Sequence, residues 1–361
     1  MSAWRGDLID VHSHLYPQSY LSLLAARTSP PYIAPTPTKP SQHLLYNRPG
    51  AGKPITPLLH DITSKQAFMR THGIDVSILS LGNPWLDFMP PESATEACRT
   101  INTDFDRICR ETDDQRFYFF AVLPLSARPE EIISTIRDLR MLPQCKGVVI
   151  GTSGLGGGLD DREFLPLFRA LAEETLPVFI HPNYGLPFEV YGPRAAAGEY
   201  GQVCQVALGF PLETTICITR MFLAGVFDSV PDLKVILSHA GGALPFLAGR
   251  VESCCSHDRA LQSQGKLAKE RKTIWQVMRK NLWLDGVVFS SIAMKAAVEA
   301  AGIERLLFGT DHPLFGVPLD GGDLWSSVSS CQDAVREAVP EKVVSSIMGA
   351  NAQKLLRIDW S

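Results

Sequence analysis

Asp10-Val11-His12-Ser13-His14 follows the apolar pair Leu8-Ile9 and carries two imidazoles at i and i+2. On a strand that spacing points both rings to one face. Two imidazoles converging at a strand end form half a site for a divalent metal. Three later stretches end the same way: Ile180-His181-Pro182, Leu237-Ser238-His239 and Gly309-Thr310-Asp311, each after an apolar run of strand length. Imidazoles with one carboxylate and an open position are the expected surroundings of a catalytic Zn²⁺. His12, His14, His181 and Asp311 are the candidate ligands. His239 stands beside them as a general acid/base or electrophile, or as a further ligand. A carboxylated lysine bridging two metals would have to sit at the end of the fourth strand. Lys146 precedes that strand's core, and Thr152 and Ser153 occupy its end. The expectation is therefore one zinc per chain.

Positioning these side chains takes several strands. The sequence reads as eight short apolar strands, near 8–14, 75–81, 117–123, 147–150, 177–180, 233–237, 282–285 and 305–308. Most are separated by stretches of helical pattern, which implies parallel pairing in a βα repeat. With eight such units the economical answer is an α/β fold closed as a (β/α)8 TIM barrel, where catalytic residues sit at the C-terminal ends of strands. A doubly wound open sheet is the alternative, but no G-x-G-x-x-G follows the first strand. The run Gly154-Leu155-Gly156-Gly157-Gly158 lacks the lysine and hydroxyl residue of a phosphate loop and reads as a turn.

The whole chain, 1–361, is read as one barrel domain. Residues 16–60 are an insertion over the active site, with eight of the 26 prolines between Pro30 and Pro57 and no sustained periodicity. Residues 323–361 carry closing C-terminal helices. His43, His60, His72 and His257 read as surface or packing residues, and His312 as either structural or a support for Asp311.

Composition narrows the function classes. The 34 basic and 38 acidic residues nearly cancel, and no basic cluster is interleaved with aromatics, so nucleic acid is not an expected partner. There is no run of about 18 apolar residues, and the first strand begins too early to leave space for a signal-peptide apolar region. None of the eight cysteines forms a C-x-x-C pair. Together these features predict a reduced, cytoplasmic protein without a membrane partner.

Longer strings then resemble a known family. The D-x-H-x-H opening, His181-Pro182, Glu213-Thr214-Thr215, the stretch Leu237 to Phe246 continuing to Gly249-Arg250, and Phe308-Gly309-Thr310-Asp311-His312-Pro313 look like the amidohydrolase-superfamily decarboxylases typified by aminocarboxymuconate-semialdehyde decarboxylase. Within that family, Asn83 to Phe88, His181 to Pro187 and Glu189 to Arg194 are similar to the fungal uracil-5-carboxylate (isoorotate) decarboxylases. The resemblance implies zinc-dependent, non-oxidative removal of CO₂ from an aromatic or heteroaromatic acid, with uracil-5-carboxylate going to uracil. It implies Asp311 as proton donor to the ring carbon, with His239 close by. It also implies Asn83 and Phe210 in the substrate pocket, and Arg250 reaching the neighbouring subunit's site in a homodimer.

Two positions depart from that pattern. Lys53 stands where an arginine is expected in the insertion, and Leu314 where a phenylalanine follows the Asp-His-Pro. Lysine lacks the planar fork of arginine, and leucine lacks a stacking ring. A benzenoid acid such as 6-methylsalicylate or a resorcylate is therefore the competing substrate. The same ligands could also serve a lactone or amide hydrolase, or a non-catalytic binding protein on the same barrel.

Overall fold

A computed structural model of the chain describes residues 8–36, 39, 42–47, 52–112, 117–264, 271–315 and 324–358. The N-terminal residues 1–7, position 323 at the expected start of the closing helices, and residues 359–361 lie outside that set. So do residues 265–270.

Seven parallel strands form the central sheet: β1 (Ile9–His14), β2 (Val76–Ser80), β3 (Phe117–Ala121), β4 (Cys145–Gly151), β5 (Val178–His181), β6 (Val235–Leu237) and β7 (Leu282–Leu284). Their spatial order follows the chain from β1 to β7, which rules out the doubly wound alternative. The strands read as continuous apolar runs because helices cover their outer face and side chains fill the inner one.

The eighth strand, expected over 305–308, is reduced to closing contacts. Leu307 N donates to Leu284 O at 2.9 Å, and Val11 N donates to Phe308 O at 3.0 Å. Parallel bridges join Leu284 to Leu306 and Ser13 to His312. Pairing stops there because Asp311 takes a left-handed φ of 59°, incompatible with an extended ladder. The sheet thus closes into a barrel with its last position held by few bonds.

The segment after β1 differs from the expected irregular loop. A helix covers Gln18–Ala25, a small antiparallel sheet pairs Tyr32–Pro35, His43–Tyr46 and Lys53–Pro54, and a short helix covers Pro57–His60. Pro35 and Pro54 lie on the two outer strands, the sheet positions that tolerate proline. Pieces this short, punctuated by proline, carry no readable period. Tyr32 and Tyr46 stack across the sheet at 4.9 Å.

Helix Ile62–His72 shows how local chemistry sets element ends. Asp61 accepts from Thr63 N and Ser64 N at 3.0 Å each, and Gly73 closes the helix at φ 66°. Its inner face buries Lys65, Phe68 and Met69. Among the described residues one helical run, Cys204–Leu223, is long and apolar enough to cross a membrane. In this fold Cys217, Ile218, Met221 and Phe222 of that run are buried within the protein.

The turn after β6 seats this helix. Thr215 Oγ1 donates to Pro211 O at 2.8 Å and accepts from Ala243 N at 2.8 Å. Gly242 lies against the same groups at φ 67°, where an added Cβ would collide with the Pro211 carbonyl and sit 2.7 Å from Thr215 Oγ1. Gly242→Ala is expected to lower stability by about 2–4 kcal/mol through left-handed strain and this collision, read from the midpoint of urea unfolding.

Candidate metal centre and active site

All five strand-terminal side chains singled out in the sequence meet at the C-terminal mouth of the barrel. Donor atoms of His12, His181, His239 and Asp311 lie within 4.8 Å of one another. His14 reaches the same centre, with Nε2 3.2 Å from both His12 Nε2 and Asp311 Oδ1. The Asp311 carboxylate is divided between two sides. Oδ1 faces His12 and His14, each at 3.2 Å, and Oδ2 faces His239 Nε2 at 3.3 Å. His239 and Asp311 both have left-handed backbones, φ 54° and 59°. Such conformations are held at functional sites by the surrounding structure.

Each inner imidazole is oriented from behind. His12 Nδ1–H donates to Asp285 Oδ2 at 2.7 Å, His181 Nδ1–H donates to Pro182 O at 2.8 Å, and His14 Nδ1 lies 3.2 Å from Ser80 Oγ. These bonds fix the ring orientations and turn the Nε2 atoms inward, as ligating histidines require. His181 Nε2 is buried and has no protein hydrogen-bond partner among the described residues. An orphaned, inward-facing acceptor beside a carboxylate fits a bound divalent cation.

Electrostatics agree. Burial disfavours a charge on His12, but the Asp311 and Asp285 carboxylates outweigh it and raise His12 to about 10. Burial pushes the other way on Asp311, yet the His12 charge and hydrogen bonds from His12, His14 and His239 hold its carboxyl well below the usual carboxylate range. Burial also lowers His14, and lowers His181 strongly. Three of the inner groups thus favour the deprotonated states that ligate metal, and His12 holds a proton that a metal displaces.

The substrate-contact candidates fall at one opening. Lys53 and Asn83 line two adjoining clefts of about 470 Å³ and 300 Å³; Phe210 borders the first and Leu314 the second. The Phe210 ring is 6.4 Å from that of His181 and 6.5 Å from that of His239, so the cleft leads to the centre. Asn83 Nδ2 donates to Asn183 O. Glu213 holds that loop by accepting from Asn183 N at 2.9 Å, Gly185 N and Thr152 Oγ1, and burial raises its carboxyl. Arg250 is not at this opening; it is exposed on helix Leu244–His257. A larger cleft of about 780 Å³ among the outer helices, lined by Arg220, Asp228 and Arg271, contains no candidate ligand.

Asp285 and Lys65 belong to the surroundings of the site and do not stand out in the sequence. Asp285 could have been found as one more carboxylate ending a strand. Lys65 carries no such signal, because a lysine on an amphipathic helix ordinarily faces water. The remaining histidines stay outside the centre. His72 packs on Phe68 at 4.7 Å, and the His257 side chain bonds within its own helix.

Comparison with known proteins agrees with this geometry. A family model described as amidohydrolase matches residues 9–358. The 2-amino-3-carboxymuconate-6-semialdehyde decarboxylase of Dictyostelium discoideum is 27% identical over 287 residues, 79% of this chain and 74% of that protein. A gamma-resorcylate decarboxylase of Rhizobium sp. is 26% identical over 301 residues, 81% of this chain and 85% of that one. The crystal structure of Metarhizium anisopliae IDCase in apo form superposes with a TM-score of 0.92 at 43% identity, covering 99% of this chain and 98% of that one.

The His12 proton sets the direction of a pH effect. Ligation needs the neutral imidazole, which below about 10 is the minor form of the metal-free protein, so metal loading releases a proton. Affinity is therefore expected to rise by up to about tenfold per pH unit between pH 6 and 8. Calorimetric titrations of metal-stripped protein in buffers of different ionisation enthalpy measure the proton released.

Proposed function

We propose, from the premise that this chain belongs to the amidohydrolase family and is one of its non-oxidative decarboxylases of aromatic acids, that it binds one zinc ion and converts uracil-5-carboxylate to uracil and CO₂. The observation that carries the reading is the division of the Asp311 carboxylate, one oxygen toward the strand-one imidazoles and the other toward His239. The IDCase likeness at 43% identity supports the isoorotate-type substrate.

His12, His14, His181 and Asp311 would hold the cation, which when bound supplies Lewis acidity toward the substrate carboxylate and the adjacent ring oxygen. The protein's own groups do the rest. CO₂ leaving an unprotonated sp² carbon would strand an electron pair in the ring plane, so the ring carbon has to be protonated first. Asp311 Oδ2 delivers that proton, forming the C–H bond. The bond to the carboxylate carbon then breaks, CO₂ leaves, and the electron pair returns to the ring.

Asp311 by itself strongly favours its charged form, and His239 Nε2, 3.3 Å from Oδ2, is the group placed to supply its proton. Phe210 packs against the ring. Asn83, whose amide N–H is held by Asn183 O, has its side-chain oxygen left for a ring N–H. Lys53 faces the ring oxygens or carboxylate from the insertion. Lys53 and Leu314 also favour a second reading, a benzenoid substrate, because neither supplies the guanidinium fork or stacking ring of the pyrimidine pattern.

Zinc-loaded protein is expected to release CO₂ from uracil-5-carboxylate and to place solvent deuterium on the vacated ring carbon, with Asp311→Asn at least about 10³-fold slower. Ultraviolet absorbance with 6-methylsalicylate and 2,6-dihydroxybenzoate in parallel decides the ring. Turnover of a benzenoid acid alone would replace the substrate and keep the chemistry. No turnover of any ring acid, with water oxygen entering a lactone or amide product instead, would make the protein a hydrolase.

Arg250 completes the neighbouring subunit's site in a homodimer under this reading. Phe246, one helical turn before it, and Ile292 on helix Ser291–Ala301 are large apolar side chains 86% and 80% exposed. Arg250→Ala and Asp311→Asn, each nearly inactive alone, are expected to regain up to about a quarter of wild-type activity when subunits are mixed and re-assembled, since one hybrid site is then intact. No recovery on mixing would place Arg250 outside its neighbour's site.

A further inference from the structure

Behind the metal centre, helix Ile62–His72 sends one charged side chain into the barrel wall. Lys65 is 0% exposed. Its Nζ donates to Ser13 Oγ at 2.9 Å, to His312 O at 3.3 Å and to His312 Nδ1. An ammonium has three donors, and all three are used on two segments. Ser13 stands between His12 and His14, and His312 follows Asp311. One nitrogen therefore clips together the two stretches that carry three of the four candidate ligands. The same stretches are cross-bonded through their backbones, His14 N to His312 O and Asp311 N to His12 O, each at 2.8 Å.

The clip acts where positioning is needed. Asp311 has a left-handed backbone at φ 59°, which a residue with a Cβ keeps only when its neighbours hold it. His312 is held on both sides, stacked on Phe68 at 3.7 Å and tilted against Trp325 at 4.6 Å. Lys65 reaches its third side.

Packing does not call for a lysine here. Taking an ammonium out of water is costly, and apolar residues of similar volume fill such space as stably or more so. An apolar residue cannot donate to Ser13 and His312. The charge of Lys65 would oppose a nearby cation; burial lowers its ammonium to about 7, while the fully buried Asp10 carboxylate and Asp311 push the other way and favour the charged form. Asp10 is held by Thr310 Oγ1 at 2.7 Å and by Thr310 N and His12 N at 3.0 Å.

We propose that Lys65 is a positioning residue of the metal centre, holding the Asp311 turn in register with the strand-one imidazoles. This rests on reading the centre as a metal site.

The test is zinc titration of the full-length, metal-stripped protein against a chromophoric chelator, for wild type, Lys65→Met, Lys65→Arg and Ser13→Ala. Lys65→Met is expected to melt at or above the wild-type temperature in chelator, yet to bind zinc about 10–100-fold more weakly. With zinc saturating, its kcat falls while KM stays within about twofold. Lys65→Arg recovers most of the affinity, a rescue that a volume-filling role would not produce. Ser13→Ala loses affinity several-fold and carries the test if Lys65→Met does not fold. Zinc affinity in Lys65→Met equal to or tighter than wild type, or unchanged in Ser13→Ala, overturns the proposal while the metal centre stands. Wild-type protein that binds no zinc overturns the metal reading and this proposal with it.

Discussion

The structure depends on one buried carboxylate being shared among imidazoles. Asp311 is buried, and its two oxygens touch His12, His14 and His239. Burial alone would neutralise a carboxyl, and only the surrounding imidazoles keep it charged. That balance explains why the barrel ends as it does. The eighth strand gives up its ladder so that Asp311 can turn inward with a left-handed backbone, and the closing bonds from Val11 and Leu307 take over.

A carboxylate so placed works only if each imidazole presents the correct nitrogen. Orientation comes from groups that never face the substrate: Asp285 behind His12, the Pro182 carbonyl behind His181, and Ser80 beside His14. Rings held from behind in this way turn their Nε2 atoms to the centre. His239 has no such support; its Nδ1 is buried and unpartnered among the described residues. Its side chain's polar contact among the described residues is with the Asp311 carboxylate, through Nε2.

The approach to this centre is built from other segments. The clefts leading to it are walled by the small antiparallel sheet after β1 and by the segment that ends in Phe210. The five convergent groups at the centre all come from the barrel itself. Lys53, Asn83, Phe210 and Leu314 line these clefts from different segments, positions that can vary without disturbing the strands. Glu213, which ties Asn183 and Gly185 to Thr152, keeps one wall of that opening in place.

The strand-end ligands and the barrel were legible in the sequence because both are local signals. Alternation of apolar runs with helical stretches encodes burial on both faces of parallel strands, and the i, i+2 spacing of His12 and His14 encodes a shared face. The short sheet over 32–54 was illegible, since prolines break strands too short to show a period. The convergence of five groups could be expected from the fold, but their division of labour could not. Only the closed barrel brings His12 to Asp285, 273 residues away, and Lys65 to His312, 247 residues away. Hydrogen bonds between such distant segments leave no mark in local spacing, because each partner has an ordinary sequence context. The residue types and their places at strand ends were determined by the sequence alone. Which group stands behind each imidazole, and which lysine is buried rather than solvated, were decided by tertiary closure, since only there does each polar group lose water and need a partner.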